Sequence, residues 1–126
     1  MLVNTIIRSG GRSLTNKMED KTCKEQVKDH FESRIKDIKE LYLKEDWQGL
    51  KEYALSTDFV PAHTFQDQDC GYWRYQISWG GPQDEFRVYS VINRVEYWFL
   101  DWFDGASIQV RGRNAAMIRN IIKNTK

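Results

Sequence analysis

Carboxylates set among aromatic rings are the residues whose type and spacing come closest to chemistry. The run Glu96-Tyr97-Trp98-Phe99-Leu100-Asp101-Trp102-Phe103-Asp104 holds three acids. A carboxylate buried among rings loses solvation. It then titrates high enough to act as a general acid or base, unless an arginine pairs with it. Glu96 and Asp101 are therefore the candidate carboxylates of a small enzyme. Arg74, Arg87 and Arg94 are the cations that would instead make Asp101 half of a structural ion pair. Asp104, directly before Gly105, reads more simply as a hairpin residue.

A second set of chemical side chains, His63, Asp67, Asp69 and Cys70, falls on a polar stretch. Carboxylates and imidazole ligate metals, but the spacing is not that of a calcium-binding loop. A Cys70–His63 nucleophile pair has no supporting signature around it. A four-residue zinc site would need Cys23, Cys70, His30 and His63 together, and their spacing does not suggest one. Asp84 and Glu85, adjacent on a strand, point apart. No nucleophile elbow, phosphate-binding loop, HExxH or dinucleotide fingerprint occurs. The expectation is no metal, no cofactor and, on balance, no enzyme.

The elements that position these residues follow from composition and period. With 126 residues, 40% hydrophobic and 29% charged, the chain reads as one globular domain. The 13% aromatic content, five Trp, six Tyr and six Phe, is its unusual number. A net charge of +1 provides no global basic field for nucleic acid. The charge is uneven, however: residues 53–104 hold three basic and eight acidic residues, and residues 105–126 hold five basic and none acidic. The longest bulky apolar run, Tyr97–Leu100, is far short of the about 20 residues of a membrane span. No secretory signal is visible, and two cysteines without CxxC spacing read as reduced thiols of a cytoplasmic protein.

Residues 1–18 read as a flexible leader, with Met18 as an alternative start, and residues 19–126 as a single α+β domain. Thr22-x-x-Glu25 is a capping box opening a helix over 22–45, with Val27, Phe31, Ile35, Ile38, Leu41 and Tyr42 on one stripe. Asp46 caps a shorter helix ending near Ser56, and residues 57–71 follow as a long polar connection. From 72 the period changes to two. Strands are expected over 72–79, 86–91, 95–103 and 107–111, with Asp104-Gly105 as the strongest hairpin signal. Asn114 is expected to cap a terminal helix carrying Ala115, Ile118, Ile121 and Ile122. The fold class is thus α+β: N-terminal amphipathic helices, a four-stranded antiparallel meander and a C-terminal helix.

In the third strand Tyr97, Phe99, Asp101 and Phe103 share one face, and Trp98, Leu100 and Trp102 the other. Rings on both faces need cover on both. Either the helices 22–45 and 114–124 lie on opposite faces or the sheet wraps on itself, or one face meets a partner. For a partner the candidate contacts are Tyr72, Arg74, Trp79, Trp98, Asp101 and Trp102. Arg111, Arg113 and Arg119 of the basic tail form a secondary contact.

The stretch Tyr72-Trp73-Arg74-Tyr75-Gln76-Ile77-Ser78-Trp79-Gly80-Gly81-Pro82, continued by Asp84-Glu85-Phe86-Arg87, and the stretch Glu96–Ala106 resemble a group of small proteins carried by plasmids, phages and integrative elements. The resemblance covers about a quarter of the chain, roughly residues 72–106. It implies an accessory protein of the sort that binds and blocks host defence machinery, as anti-CRISPR and antirestriction proteins do, and it carries over no catalytic residue. The leading expectation is a non-enzymatic module that occludes a protein partner, such as a nucleic-acid-processing defence complex of the CRISPR–Cas kind. A second copy of the chain is another partner of that class. The alternatives are a nucleic-acid binder using the aromatic sheet face with the basic C-terminal helix, and a small enzyme built on Asp101 and Glu96. No membrane contact is expected.

Overall fold

Thr22 opens the first helix by the mechanism its spacing dictates. The Thr22 hydroxyl accepts from the Glu25 amide, and the Glu25 carboxylate accepts from the Thr22 amide at 2.9 Å. In the computed structural model of the chain the described residues are 22–102 and 104–126. The leader read over 1–18 and the placement of Phe103 therefore lie outside the described residues. Helix α1 spans Cys23–Leu43 and buries Cys23, Val27, Ile35 and Ile38. Helix α2 spans Trp47–Tyr53, and the Asp46 carboxylate accepts from the Gly49 amide at 2.9 Å. No described helix is long and apolar enough to cross a membrane.

At Ala54 the backbone turns extended, and the chain enters a strand that lies mostly within the stretch expected to be a polar connection. The sheet consequently has five strands rather than four: β1 (Ser56–Val60), β2 (Tyr72–Ser78), β3 (Gln83–Tyr89), β4 (Val95–Asp101) and β5 (Asp104–Val110). They form one antiparallel meander in chain order, closed by helix α3 (Gly112–Thr125). Strand β1 is short, half polar and at an edge. Its hold on β2 comes from long-range partners, with Asp58 against Arg74 at 2.7 Å and the Phe59 ring edge-on to Trp73 at 5.3 Å. Two more expectations are corrected. Asp101 pairs with Asp104, so the β4–β5 turn begins at Trp102 (φ +41°), and Asp104-Gly105 are the first residues of β5. The Asp104 carboxylate instead accepts from the Cys23 amide at 2.9 Å and so caps α1 from the sheet. Helix α3 begins at Gly112, whose φ of +62° suits glycine, so Asn114 is not its cap.

Helix α1 packs on β4 and β5, α3 on β3 and β4, and α2 against both helices. All three helices contribute to one core with Tyr75, Ile77, Phe86, Val95, Tyr97, Phe99 and Val110. Each helix has a single apolar stripe, and all the stripes meet on the same sheet face. Of the alternatives for covering the two sheet faces, placement of helices on opposite faces is therefore not the one adopted by the described helices. Ile38, Leu50, Ile118 and Ile121 are essentially fully buried there, each such side chain contributing about 1.5–3 kcal/mol. A polar network crosses this core. Asp84, 1% exposed, accepts from Arg34 at 2.7 and 3.2 Å and from the Tyr97 hydroxyl at 2.6 Å. An irregularity between Gln76 and Ser78 brings the Ser78 hydroxyl to Asp84 as well.

Candidate functional site

Strand alternation sends the remaining side chains to the face opposite the helices. In register across that face lie Asp58, Arg74, Arg87 and Glu96, flanked by Tyr72 with Tyr89 and by Gln76, Glu85 and Trp98. Arg74 and Arg87 are directly opposed, which would be repulsive for bare charges. Each is neutralised by a carboxylate. Arg74 holds Asp58 at 3.1 and 2.7 Å. Arg87 donates through Nε to Glu85, itself 1% exposed, at 2.7 Å. The Arg87 guanidinium lies over both the Tyr72 ring, at 4.7 Å, and the Trp98 ring, at 4.3 Å. Cation–π contact and ion pair together hold it flat.

Glu96 is the most heavily bonded group of this face. It accepts from Arg94 Nε at 2.5 Å, and from the Tyr89 hydroxyl and Trp98 Nε1 at 2.8 Å each. Burial works to raise its pKa, but the donors Arg94, Trp98 and Tyr89 outweigh burial and hold the carboxyl below the usual glutamate range. Burial and the Glu96 acceptor push the Tyr89 hydroxyl up to about 12. Burial also raises Tyr72, whose hydroxyl is enclosed without a hydrogen-bond partner, as is Gln76 Nε2.

Of the expected contacts, Tyr72, Arg74 and Trp98 share this face. Tyr72 is wholly buried and Trp98 half-buried. Trp79 and Trp102 are 71% and 83% exposed at the sheet end that carries the β2–β3 and β4–β5 turns. The Trp102 ring lies against Gly81, where an added Cβ would come within 2.8 Å of it. Asp101 lies on the helix side, near Cys23, whose thiol is raised by burial and then by Asp104 and Asp101. Glu96 and Asp101 thus project from opposite faces, and the structure does not bring them together as an acid–base pair. The three arginines considered for Asp101 hold Asp58, Glu85 and Glu96 instead. In the basic tail, Arg111 donates to Gln109 at 2.8 Å and Arg119 to Asn93. These two arginines share a hollow of about 210 Å³ that Arg113 does not line.

The β1–β2 loop contributes what the sequence concealed. The Gln68 side chain accepts from the Thr64 and Phe65 amides at 3.1 and 2.9 Å, and donates to the Pro61 and Cys70 carbonyls at 2.8 and 3.0 Å. This pins a loop containing left-handed His63 and Asp67 (φ +65° and +59°). Between the loop and the sheet face opposite the described helices is a groove of about 600 Å³, lined among others by Phe65, Asp67, Asp69, Arg87, Glu96 and Trp98. The loop's length was the only sequence signal for it. Among the described residues no group of three or more His, Cys, Asp or Glu is placed to hold a metal ion. No protein-family model, curated protein or solved structure matches this chain.

Proposed function

We propose that the protein is a non-enzymatic protein-binding module that works in the cytoplasm by covering a surface of its partner. The observation that supports this is the one-sidedness of the fold: the described helices share one core, and no described helix lies over the rings and arginines of the other sheet face. Tyr, Trp and Arg at the centre of a patch are the residues that anchor protein interfaces. Trp79 and Trp102, exposed at one end of the sheet, extend the same surface. The charge state favours a protein over a nucleic acid. Arg74, Arg87 and Arg94 each hold a carboxylate, so a phosphate would have to displace an ion pair at every contact. The likeness of residues 72–106 to accessory proteins of mobile elements extends the proposal to a partner of the bacterial defence class, such as a CRISPR–Cas complex.

The test uses the immobilised full chain to capture a partner from bacterial lysate, followed by the same capture with Trp102→Ala. Trp102 is exposed, so its loss should leave the thermal midpoint unchanged while the captured protein disappears. Trp98 is a poorer probe, because it also donates to Glu96 and supports Arg87. Undiminished capture by Trp102→Ala and by Trp79→Ala would remove this surface as the interface.

A further inference from the structure

The groove beneath the β1–β2 loop carries a net charge of defined sign. Arg87 and Arg94 face it, but each donates through Nε to a carboxylate two residues away, Glu85 and Glu96. Asp67 and Asp69 also line it, and among the described residues no ion pair holds either one. What remains after internal pairing is the field of two carboxylates. The apolar part of the lining is Phe65, Tyr89, Ile92 and Trp98. Phe65 is 53% and Ile92 46% exposed, so both are open to a guest. The loop wall is already built, since one Gln68 side chain makes four hydrogen bonds within it. Little ordering cost would fall on binding.

We propose that this groove receives an arginine side chain from an extended basic segment of the partner protein. The guanidinium would sit against Asp67 and Asp69, and the stem along the aromatic lining. Arginine fits better than lysine because its plane can stack on a ring while its fork meets a carboxylate. A polyanion is repelled by the same uncompensated charge. The inference rests on the protein-binding reading above and names the chemistry of the partner.

Fluorescence anisotropy of a labelled octa-arginine peptide against the full chain at low salt tests it. The wild-type chain should bind. Asp67→Asn/Asp69→Asn and, separately, Phe65→Ala should each weaken binding about tenfold, which is about 1.4 kcal/mol. Glu32→Gln/Glu40→Gln removes the same charge from exposed positions of α1 and should leave affinity unchanged. Equal loss in the two double variants would mean unspecific attraction and would overturn the proposal, as would absence of binding or tighter binding of an octa-glutamate peptide. Sedimentation of the chain alone supplies another arm. A dimer that dissociates in Asp67→Asn/Asp69→Asn would assign the groove to the basic tail of a second copy and overturn the proposal. If octa-arginine fails to bind while Trp102→Ala still loses its captured protein, the groove's ligand is wrong and the binding module stands.

Discussion

Glu96 shows how one side chain's environment decides its role. The carboxylate sits among rings, where desolvation alone would raise its pKa and suit it to proton transfer. Three donors reverse that, and the group is held ionised as the hub of Tyr89, Arg94 and Trp98. A carboxyl depressed in the folded state contributes stability above its unfolded value, near 4.5, and loses it as pH falls through the folded value. Glu96→Gln should therefore cost about 1–2 kcal/mol at pH 7. Its gap to the wild type should close below about pH 4.5. Urea unfolding of both proteins between pH 3 and 7 measures this. Asp104, also depressed, titrates alike in both proteins and cancels in the difference. A gap independent of pH would mean that Glu96 matters by shape and not by charge. Alternation along β4 sets Glu96 and Asp101 on opposite faces, which separates the two carboxylates that the sequence offers together for a small enzyme. The partner of the buried Asp84 was not legible: Arg34, which holds it, is 50 positions away, and no local pattern marks it.

Among the elements, legibility follows how local the determinant is. Helix α1 was readable because its cap and stripe lie within its own residues. Strand β1 was not, because Ser56–Val60 lacks a clean alternation and is held by Arg74 and Trp73 of the next strand. The β4–β5 turn was misplaced for a related reason: the dipeptide Asp104-Gly105 suits a turn, but Asp104 is drawn into β5, where it caps α1. The β1–β2 loop is the extreme case, because its order depends on a single amide side chain. Gln68→Ala removes four hydrogen bonds confined to residues 61–70. Amide hydrogen exchange over this loop should rise, most at Thr64 and Phe65, whose N–H groups lose their acceptor. The urea midpoint should move little, since the loop side chains lie outside the core. A cooperative loss of the whole sheet on this substitution would show that the loop is part of the folding unit instead of a wall built on it.

At the scale of the whole molecule, charge and layering combine. Seventeen aromatic residues would overfill one side of a small sheet, and the fold divides them between two solutions. Phe31, Phe86, Tyr97 and Phe99 enter the helix-covered core, while on the opposite face Tyr72 and Trp98 hold Arg87 between them and Tyr89 lies beside Tyr72. That division separates two kinds of binder experimentally. A stacking platform for single strands needs free cations between its rings and loses affinity steeply as salt rises. Here the sheet cations are paired, and Asp67 and Asp69, which no ion pair holds among the described residues, stand beside them. A single-stranded oligonucleotide should therefore show at most the weak attraction supplied by the tail, reduced by Arg113→Ala/Lys123→Ala and indifferent to Arg74→Ala. Filter binding at about 50 mM salt, a concentration at which phosphate contacts are strong, is the appropriate measurement. Retention that depends on Arg74, with a salt slope of several released ions, would make the bare face a nucleic-acid platform and displace the protein partner.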